Sequence, residues 1–385
     1  MKAGLLPLLA LCGAVAAWLP HDKLRGVNLG SLFVVEPWMM MRKWESMGCG
    51  SLKSELECVS KLGQETADKA FRDHWETWVT EQDMDEIKKY GLNTIRVPLG
   101  HWIVESTVQK PGEQFPRGGM AYLDRLASWA TAKQLYVILD LHGAPAAQTP
   151  QQPSTGQFVS TAGFFEPDRF NQAYAFLQAM TEHIHTNAAY NTTGTIQVLN
   201  EPVRDYSQAP LLLQYYATAY EKIREVEKKL GVSKDKRLTV QFMDKTWGAG
   251  NPKDVMSGKH GVAYDNHRYL KYAPVQHTKE SYLSTSCGDS FGEAGNTPIV
   301  IGEWSLGVES SVEKTAEWEP TREQNKAFYT KWWAAQVVAY EKQAGWVFWS
   351  WKTQLGGDWR WSYSAAVKVG VLPEDAGKAA ELSPC

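Results

Sequence analysis

The sequence predicts a single-domain α/β protein folded as a (β/α)8 TIM barrel, on three observations. Eight short apolar runs rich in β-formers recur along the chain, amphipathic helical patterns lie between them, and no composition break or linker divides it. The runs are Val27 to Leu32, Thr94 to Leu99, Tyr136 to Leu141, Thr195 to Leu199, Leu238 to Met243, Val262 to Asp265, Ile299 to Gly302 and Val347 to Trp351. Strands buried on both faces of a parallel sheet read as such continuous runs. Between them, Leu123, Leu126, Ala127 and Ala130, and again Leu213, Tyr216, Ala217 and Tyr220, repeat at i, i+3, i+4, i+7, the spacing of a helix with one face on a sheet. A doubly wound sheet is disfavoured because no Gly-rich phosphate loop follows the first run.

The start of the chain reads as a leader. Leu5 to Ala17 is nearly all apolar and ends in small residues, and Pro20-His21-Asp22-Lys23 breaks the run well short of the about 20 residues a membrane span needs. Residues 1–17 are therefore expected to be a signal peptide and 18–385 the barrel domain of a secreted protein, extracellular or in the cell wall. Cys12 leaves with the leader. Cys49, Cys58, Cys287 and Cys385 remain, an even number suited to disulfides; Cys49 and Cys58 are close enough to close a small loop, while the sequence leaves the pairing of Cys287 and Cys385 open. Asn191-Thr192-Thr193 is a glycosylation sequon.

Lys+Arg 40 against Asp+Glu 43 gives a formal net charge of −3, which provides no pull toward nucleic acid or an anionic membrane, and a monomer is expected. The unusual feature is aromatic: 17 Trp, 16 Tyr and 12 Phe. Such rings are mostly core, but they also grip the apolar faces of sugars.

The ends of the runs carry polar groups: Arg96, His142, Asn200-Glu201-Pro202, Asp265-Asn266-His267-Arg268-Tyr269, Gly302-Glu303-Trp304 and Trp349-Ser350-Trp351-Lys352. Each alone suits a helix cap or turn. Together, at one rim of a barrel, they make the set a carboxylate-based hydrolase requires. Glycosidic cleavage needs one carboxylic acid to protonate the leaving oxygen and one carboxylate across the sugar ring. Glu201, enclosed by aromatics, is expected to be the protonated acid/base; Glu303, ionised by Arg96 and a Tyr269 hydrogen bond, is expected to be the nucleophile. Asn200 would meet the sugar 2-hydroxyl and Trp349 would stack under the reacting ring.

With Asn200-Glu201-Pro202 and Gly302-Glu303-Trp304 as paired signatures, in register with Arg96, the His267-Arg268-Tyr269 triplet and Trp349, the sequence resembles glycoside hydrolase family 5 of the clan A barrels. The likeness runs from Arg25-Gly26-Val27-Asn28 to Gly370-Val371-Leu372-Pro373. It implies a retaining glycosidase with acid/base Glu201, nucleophile Glu303 and substrate-binding residues Arg96, His142, Asn200, His267, Tyr269 and Trp349. Glu36 in Val35-Glu36-Pro37-Trp38 matches a glutamate that in fungal exo-β-1,3-glucanases binds hydroxyls of the terminal sugar. Two loops depart from that exo branch: Gln148 to Gly156 lacks its Phe-bearing clamp segment, and Gly30-Ser31-Leu32-Phe33 replaces its Gly-Gly-Trp-Leu. With Met47 to Gly50 and Glu57 to Gly63, this wording is similar to the fungal endo-β-1,6-glucanase branch, which implies hydrolysis of β-1,6-glucan through a covalent glycosyl-enzyme. Exo-β-1,3-glucanase is the alternative; a carbohydrate-binding relative without activity would be expected to have lost one of the two carboxylates.

No cofactor or metal is expected, for the chain has no His-Glu-x-x-His, paired Cys-x-x-Cys or Asp-rich calcium loop. His183-Ile184-His185 reads as helix surface, and the basic run from Lys228 to Arg237 as a solvated helix end. Trp102 and Trp247, after run ends, suit outer sugar subsites or core packing about equally.

Overall fold

The computed structural model describes residues 23–108, 112–291 and 297–385. The expected leader, with Cys12, lies outside them. Eight parallel strands close in sequence order: β1 (Leu24–Asn28), β2 (Thr94–Gly100), β3 (Tyr136–Gly143), β4 (Thr193–Gln197), β5 (Thr239–Met243), β6 (Val262–Arg268), β7 (Ile299–Trp304) and β8 (Gly345–Phe348), with β8 paired back onto β1. All eight apolar runs carry a strand, and three are displaced along the chain. β1 begins earlier and ends at Asn28, because the chain beyond it turns through Ser31 at φ 57°. β8 likewise begins at Gly345 and ends at Phe348. β4 begins at Thr193 and ends at Gln197, although Val198 N still donates to Gln241 O and Asn200 N to Leu141 O, so the segment stays against its neighbours up to the rim.

The barrel interior is layered. Leu24, Tyr136, Ile138, Val300 and Val347 fill an apolar floor. Above it lie Asn28, Arg96, Asp140, Gln197, Gln241 and Asp265, all polar and all fully buried or nearly so. Gly302 is needed at this level: a Cβ there would stand 2.0 Å from Asp265 Oδ1, which instead accepts from Gly302 N at 2.9 Å. Most of the apolar core lies outside the strands, beneath the helices. Helix Gly119–Ala132 buries Leu123, Leu126, Ala127 and Ala130, as its spacing predicts. In helix Ala209–Lys229 the buried stripe is Leu212, Tyr215, Tyr216, Ala219, Tyr220 and Ile223, so Leu213 and Ala217 sit at its margin rather than at its centre. On that stripe Tyr215 packs against Phe164, Phe170 and Tyr174.

Disulfides join Cys49 to Cys58 and Cys287 to Cys385. His183 and His185 are half-buried rather than free surface: His183 Nε2 lies 2.6 Å from Asp124 Oδ1, and His185 Nε2 lies 3.5 Å from Glu227 Oε1. Lys228, Lys229, Lys234 and Lys236 are exposed, and Asn191 is exposed in the turn before β4.

Candidate active site

Arg96 from β2 organises the mouth of the barrel. Its Nη1 donates to Glu303 Oε1 at 2.9 Å and to Asn28 Oδ1 at 2.8 Å; its Nη2 donates to Asn200 Oδ1 at 2.8 Å and pairs with Asp140 Oδ2 at 2.9 Å; its Nε donates to Gln197 Oε1 at 3.0 Å. Burial alone would discharge a guanidinium, but the charges of Asp140, Glu303 and Asp265 outweigh it and hold Arg96 firmly protonated. The planar fork thus fixes side chains from β1, β3, β4 and β7 relative to one another.

Glu303 on β7 receives a second donor, the Tyr269 hydroxyl, at 2.8 Å on Oε2. Glu201 lies four residues past the end of β4, at φ 36°, a left-handed conformation that is strained for a residue with a side chain and is held by the surrounding contacts. Gln148 pins the adjoining turn, donating from Nε2 to His142 O at 2.6 Å and to Asn200 O at 2.9 Å. Between the two glutamates stands His267: Nδ1 is 2.7 Å from Glu201 Oε1 and 3.5 Å from Glu303 Oε2, and Nε2 is 3.1 Å from Asp265 Oδ2. Ligand atoms of Glu201, His267 and Glu303 all lie within 4.8 Å of one another. Inverting glycosidases hold their carboxyl groups about 6.5–9.5 Å apart to admit a water, and retaining ones about 5–5.5 Å. The spacing here is of the second kind.

The surroundings act on the two glutamates in opposite directions. Burial raises Glu201, but the hydrogen bond and charge of His267, with the charges of His142 and Arg204, outweigh it and hold this carboxyl below its ordinary value. Burial also raises Glu303, where the charges of His267 and Arg96 do not fully offset it and the Glu201 charge adds to it. Burial would lower His267, yet Glu303 and Asp265 raise it well above 6.5. These surroundings favour His267 over Glu201 as holder of the proton in their shared hydrogen bond. A protonated ring facing two carboxylates is a donor, so this trio is an acid–base set and a poor metal cage.

His142 is fixed by Asp140, 2.7 Å from its Nδ1, and its ring lies parallel to Trp349 with centroids 5.5 Å apart. Glu36 is buried and accepts from Trp38 Nε1 at 2.9 Å; burial, partly offset by the charge of His142 and the Trp38 hydrogen bond, pushes its carboxyl up to about 7. These groups surround a cavity of about 150 Å³ that brings together Glu36, His142, Glu201, Tyr269, Glu303 and Trp349. Arg96 and His267 do not line it but bond to Glu303 and Glu201, which do, and Asn200 is held behind them by Arg96.

Trp38, Gln152, Ser154, Tyr272 and Trp361 also line this cavity, and run-end reasoning misses them because they come from loops without period. Asp140 and Asp265 are missed as site residues too, although each lies two positions before a site histidine, the spacing that returns to the same strand face. Trp102 proves to be core, 3% exposed and stacked on Phe115 with centroids 4.2 Å apart. Trp247 is half-buried beside His267.

The family described as Cellulase (glycosyl hydrolase family 5) matches residues 59–354. The chain belongs to glycosyl hydrolase family 5. Its similarity to a relative extends well beyond that span: it is 48% identical to the probable glucan endo-1,6-beta-glucosidase B of Aspergillus terreus, over 99% of this chain and 98% of that protein. It is 26% identical to a glucan 1,3-beta-glucosidase of Blumeria graminis, over 95% of this chain and 90% of that one. Among solved structures, rutinosidase from Aspergillus niger shares the fold of this family 5 chain, with a TM-score of 0.72 at 18% identity over 91% of this chain and 97% of that one.

Proposed function

We propose that this chain is a secreted retaining endo-β-1,6-glucanase acting on β-1,6-glucan, with Glu303 as nucleophile and Glu201 as acid/base. The observation that carries the chemistry is the close pair itself: two carboxylates within 4.8 Å through the same site, one of them bearing the Arg96 and Tyr269 donors. Those donors keep the Glu303 oxygens oriented and compensate its negative charge, as a nucleophile requires. The linkage is supported by the 48% identity to an endo-1,6-beta-glucosidase against 26% to a 1,3-beta-glucosidase.

In the first step a Glu303 oxygen attacks the anomeric carbon and forms an ester, while the bond to the leaving oxygen breaks and that oxygen takes a proton from Glu201. The proton reaches Glu201 Oε1 from His267 Nδ1 across their 2.7 Å hydrogen bond as the sugar displaces water from the Glu201 carboxyl, whose side chain is 24% exposed in the open site. Glu201 is left as a carboxylate when its proton goes to the leaving oxygen, and because esterification removes the Glu303 charge nearby it stays ionised and can take a proton from an incoming water. That water attacks the anomeric carbon, the ester bond breaks, and Glu303 is released as a carboxylate with configuration retained.

Asn200 has its side-chain oxygen occupied by Arg96, which leaves its amide nitrogen as a donor for the sugar 2-hydroxyl. Trp349 and His142 form one parallel wall for the ring, and Glu36, protonated at mildly acid pH, offers a hydrogen bond to a distal hydroxyl. The two disulfides suit an oxidising, extracellular site of action, and among the described residues no helix is long and apolar enough to cross a membrane. The test is purified enzyme on pustulan, laminarin and carboxymethyl cellulose with products sized. Short gentio-oligosaccharides from pustulan are expected; glucose released faster from laminarin than from pustulan would favour the exo-β-1,3 reading.

A further inference from the structure

Three residues past Glu201, an exposed arginine is held in place without using its hydrogen bonds. The Arg204 guanidinium carbon lies 3.8 Å from the centroid of the Trp247 ring. Among the described residues no hydrogen bond or ion pair engages its N–H groups; the neighbouring Asp205 is turned to cap its own helical turn through Ser207 N. Trp247 in turn is fixed on three sides. Its Nε1 donates to Pro202 O at 2.7 Å, its ring meets His267 edge to face at 5.8 Å, and its turn is tied down by Asp244, which accepts from Thr246 N at 2.7 Å and from Asn266 Nδ2 at 2.6 Å.

A guanidinium stacked on an indole has lost its rotamer freedom before any ligand arrives, and its planar edge keeps its N–H donors pointing outward in a fixed fork. Placing one there, unpaired, has little value for folding. Its position has value for binding. Pro202 links the two halves of the arrangement: it follows Glu201, the residue that protonates the leaving oxygen, so Arg204 and Trp247 flank the side of the site from which the leaving sugar departs. The Arg204 charge is also felt at the Glu201 carboxyl, which places the two groups in one electrostatic neighbourhood.

We propose that Arg204, set over the Trp247 ring, is the binding platform for the leaving-side glucosyl residue, its fork donating to the vicinal diol of that sugar. In a β-1,6-linked chain the leaving oxygen is carried on an exocyclic methylene, so the next ring stands one carbon farther from the scissile bond than in a β-1,3 or β-1,4 chain. A donor array set out on the loop beyond the acid, and not beside it, meets a ring at that reach. The inference rests on Glu201 being the acid, and it assigns the group that selects what Glu201 protonates.

The test compares two substrates with the same glycone. In 4-nitrophenyl β-gentiobioside the leaving group is an activated phenol; in gentiotetraose it is a sugar. Arg204→Ala and Arg204→Lys are both measured, the second keeping the positive charge near Glu201 while losing the planar fork. The expected result is that kcat/KM for gentiotetraose falls by at least about tenfold more than kcat/KM for the aryl substrate in both variants, chiefly through KM. Equal losses on the two substrates, or full recovery of gentiotetraose turnover in Arg204→Lys, would overturn the platform while leaving the glycosidase reading intact. A wild-type enzyme that cleaves neither substrate would overturn the glycosidase reading and the platform with it.

Discussion

His267 Nδ1 lies 2.7 Å from Glu201 Oε1, so the acid/base glutamate and this histidine share one proton. With His267 raised well above 6.5 and Glu201 held low, the pair retains that proton past neutrality. The alkaline limb of kcat/KM, which reports loss of the acid from the free enzyme, therefore belongs to the pair. His267→Gln removes the proton store and leaves Glu201 alone to hold it. The alkaline limb is expected to move to lower pH by more than about one unit, with kcat lowered across the range. An unchanged limb in His267→Gln would mean that the proton is held elsewhere.

The two glutamates should fail in different ways. Glu303→Gln lacks the nucleophile, and activity is expected to fall by at least about a thousandfold even on aryl glycosides with good leaving groups. Glu201→Gln lacks only the proton donor and base, so such substrates still form the ester, and azide, entering where water would be activated, restores turnover. Azide rescue of Glu303→Gln and not of Glu201→Gln would reverse the assignment.

The fold was legible because strands buried on both faces leave unbroken apolar runs, and the polar rim was legible because His142, Glu201, Tyr269 and Glu303 each follow such a run while Arg96 is the one charge inside its own. The shifted ends of β1, β4 and β8 were not, since Leu29 to Leu32, Val198 and Trp349 to Trp351 are as apolar as the strands they adjoin and only backbone pairing separates them. Trp38, Tyr272 and Trp361 reach the cavity from loops, where no periodicity points inward. The groups that set the Glu201 proton affinity were not legible, because they depend on where His267, His142 and Arg204 come to lie around it and residue order carries no distance.

Glu55 supplies a stability test away from the chemistry. It is fully buried, accepts from Val35 N at 2.7 Å, and is pushed by burial up to about 8, against the hydrogen bonds from Val35 and Trp102. The folded value stands above the ordinary 4.5, so the neutral acid favours the fold; that contribution is complete below pH 4.5 and is lost as pH rises toward 8. Glu55→Gln keeps a neutral acceptor for Val35 N and cannot ionise. Its Tm is expected to exceed that of the wild type by a few degrees at pH 8 and to differ little at pH 4.5. Some decline with pH should persist, since Glu36 is raised in the same sense. A wild-type and variant that lose stability in parallel over this range would show that Glu55 ionises freely in the fold.

The account turns on which carboxylate bonds to the sugar, and a trapped intermediate reads that directly. A 2-deoxy-2-fluoro-β-gentiobiosyl fluoride slows both steps but forms the ester quickly through its fluoride leaving group, so the glycosyl-enzyme accumulates and peptide mass mapping locates it. The label is expected on Glu303, lost on transfer to water or to an acceptor sugar, and absent in Glu303→Gln. A label on Glu201, or rapid turnover with no covalent species and an inverted product, would contradict the account.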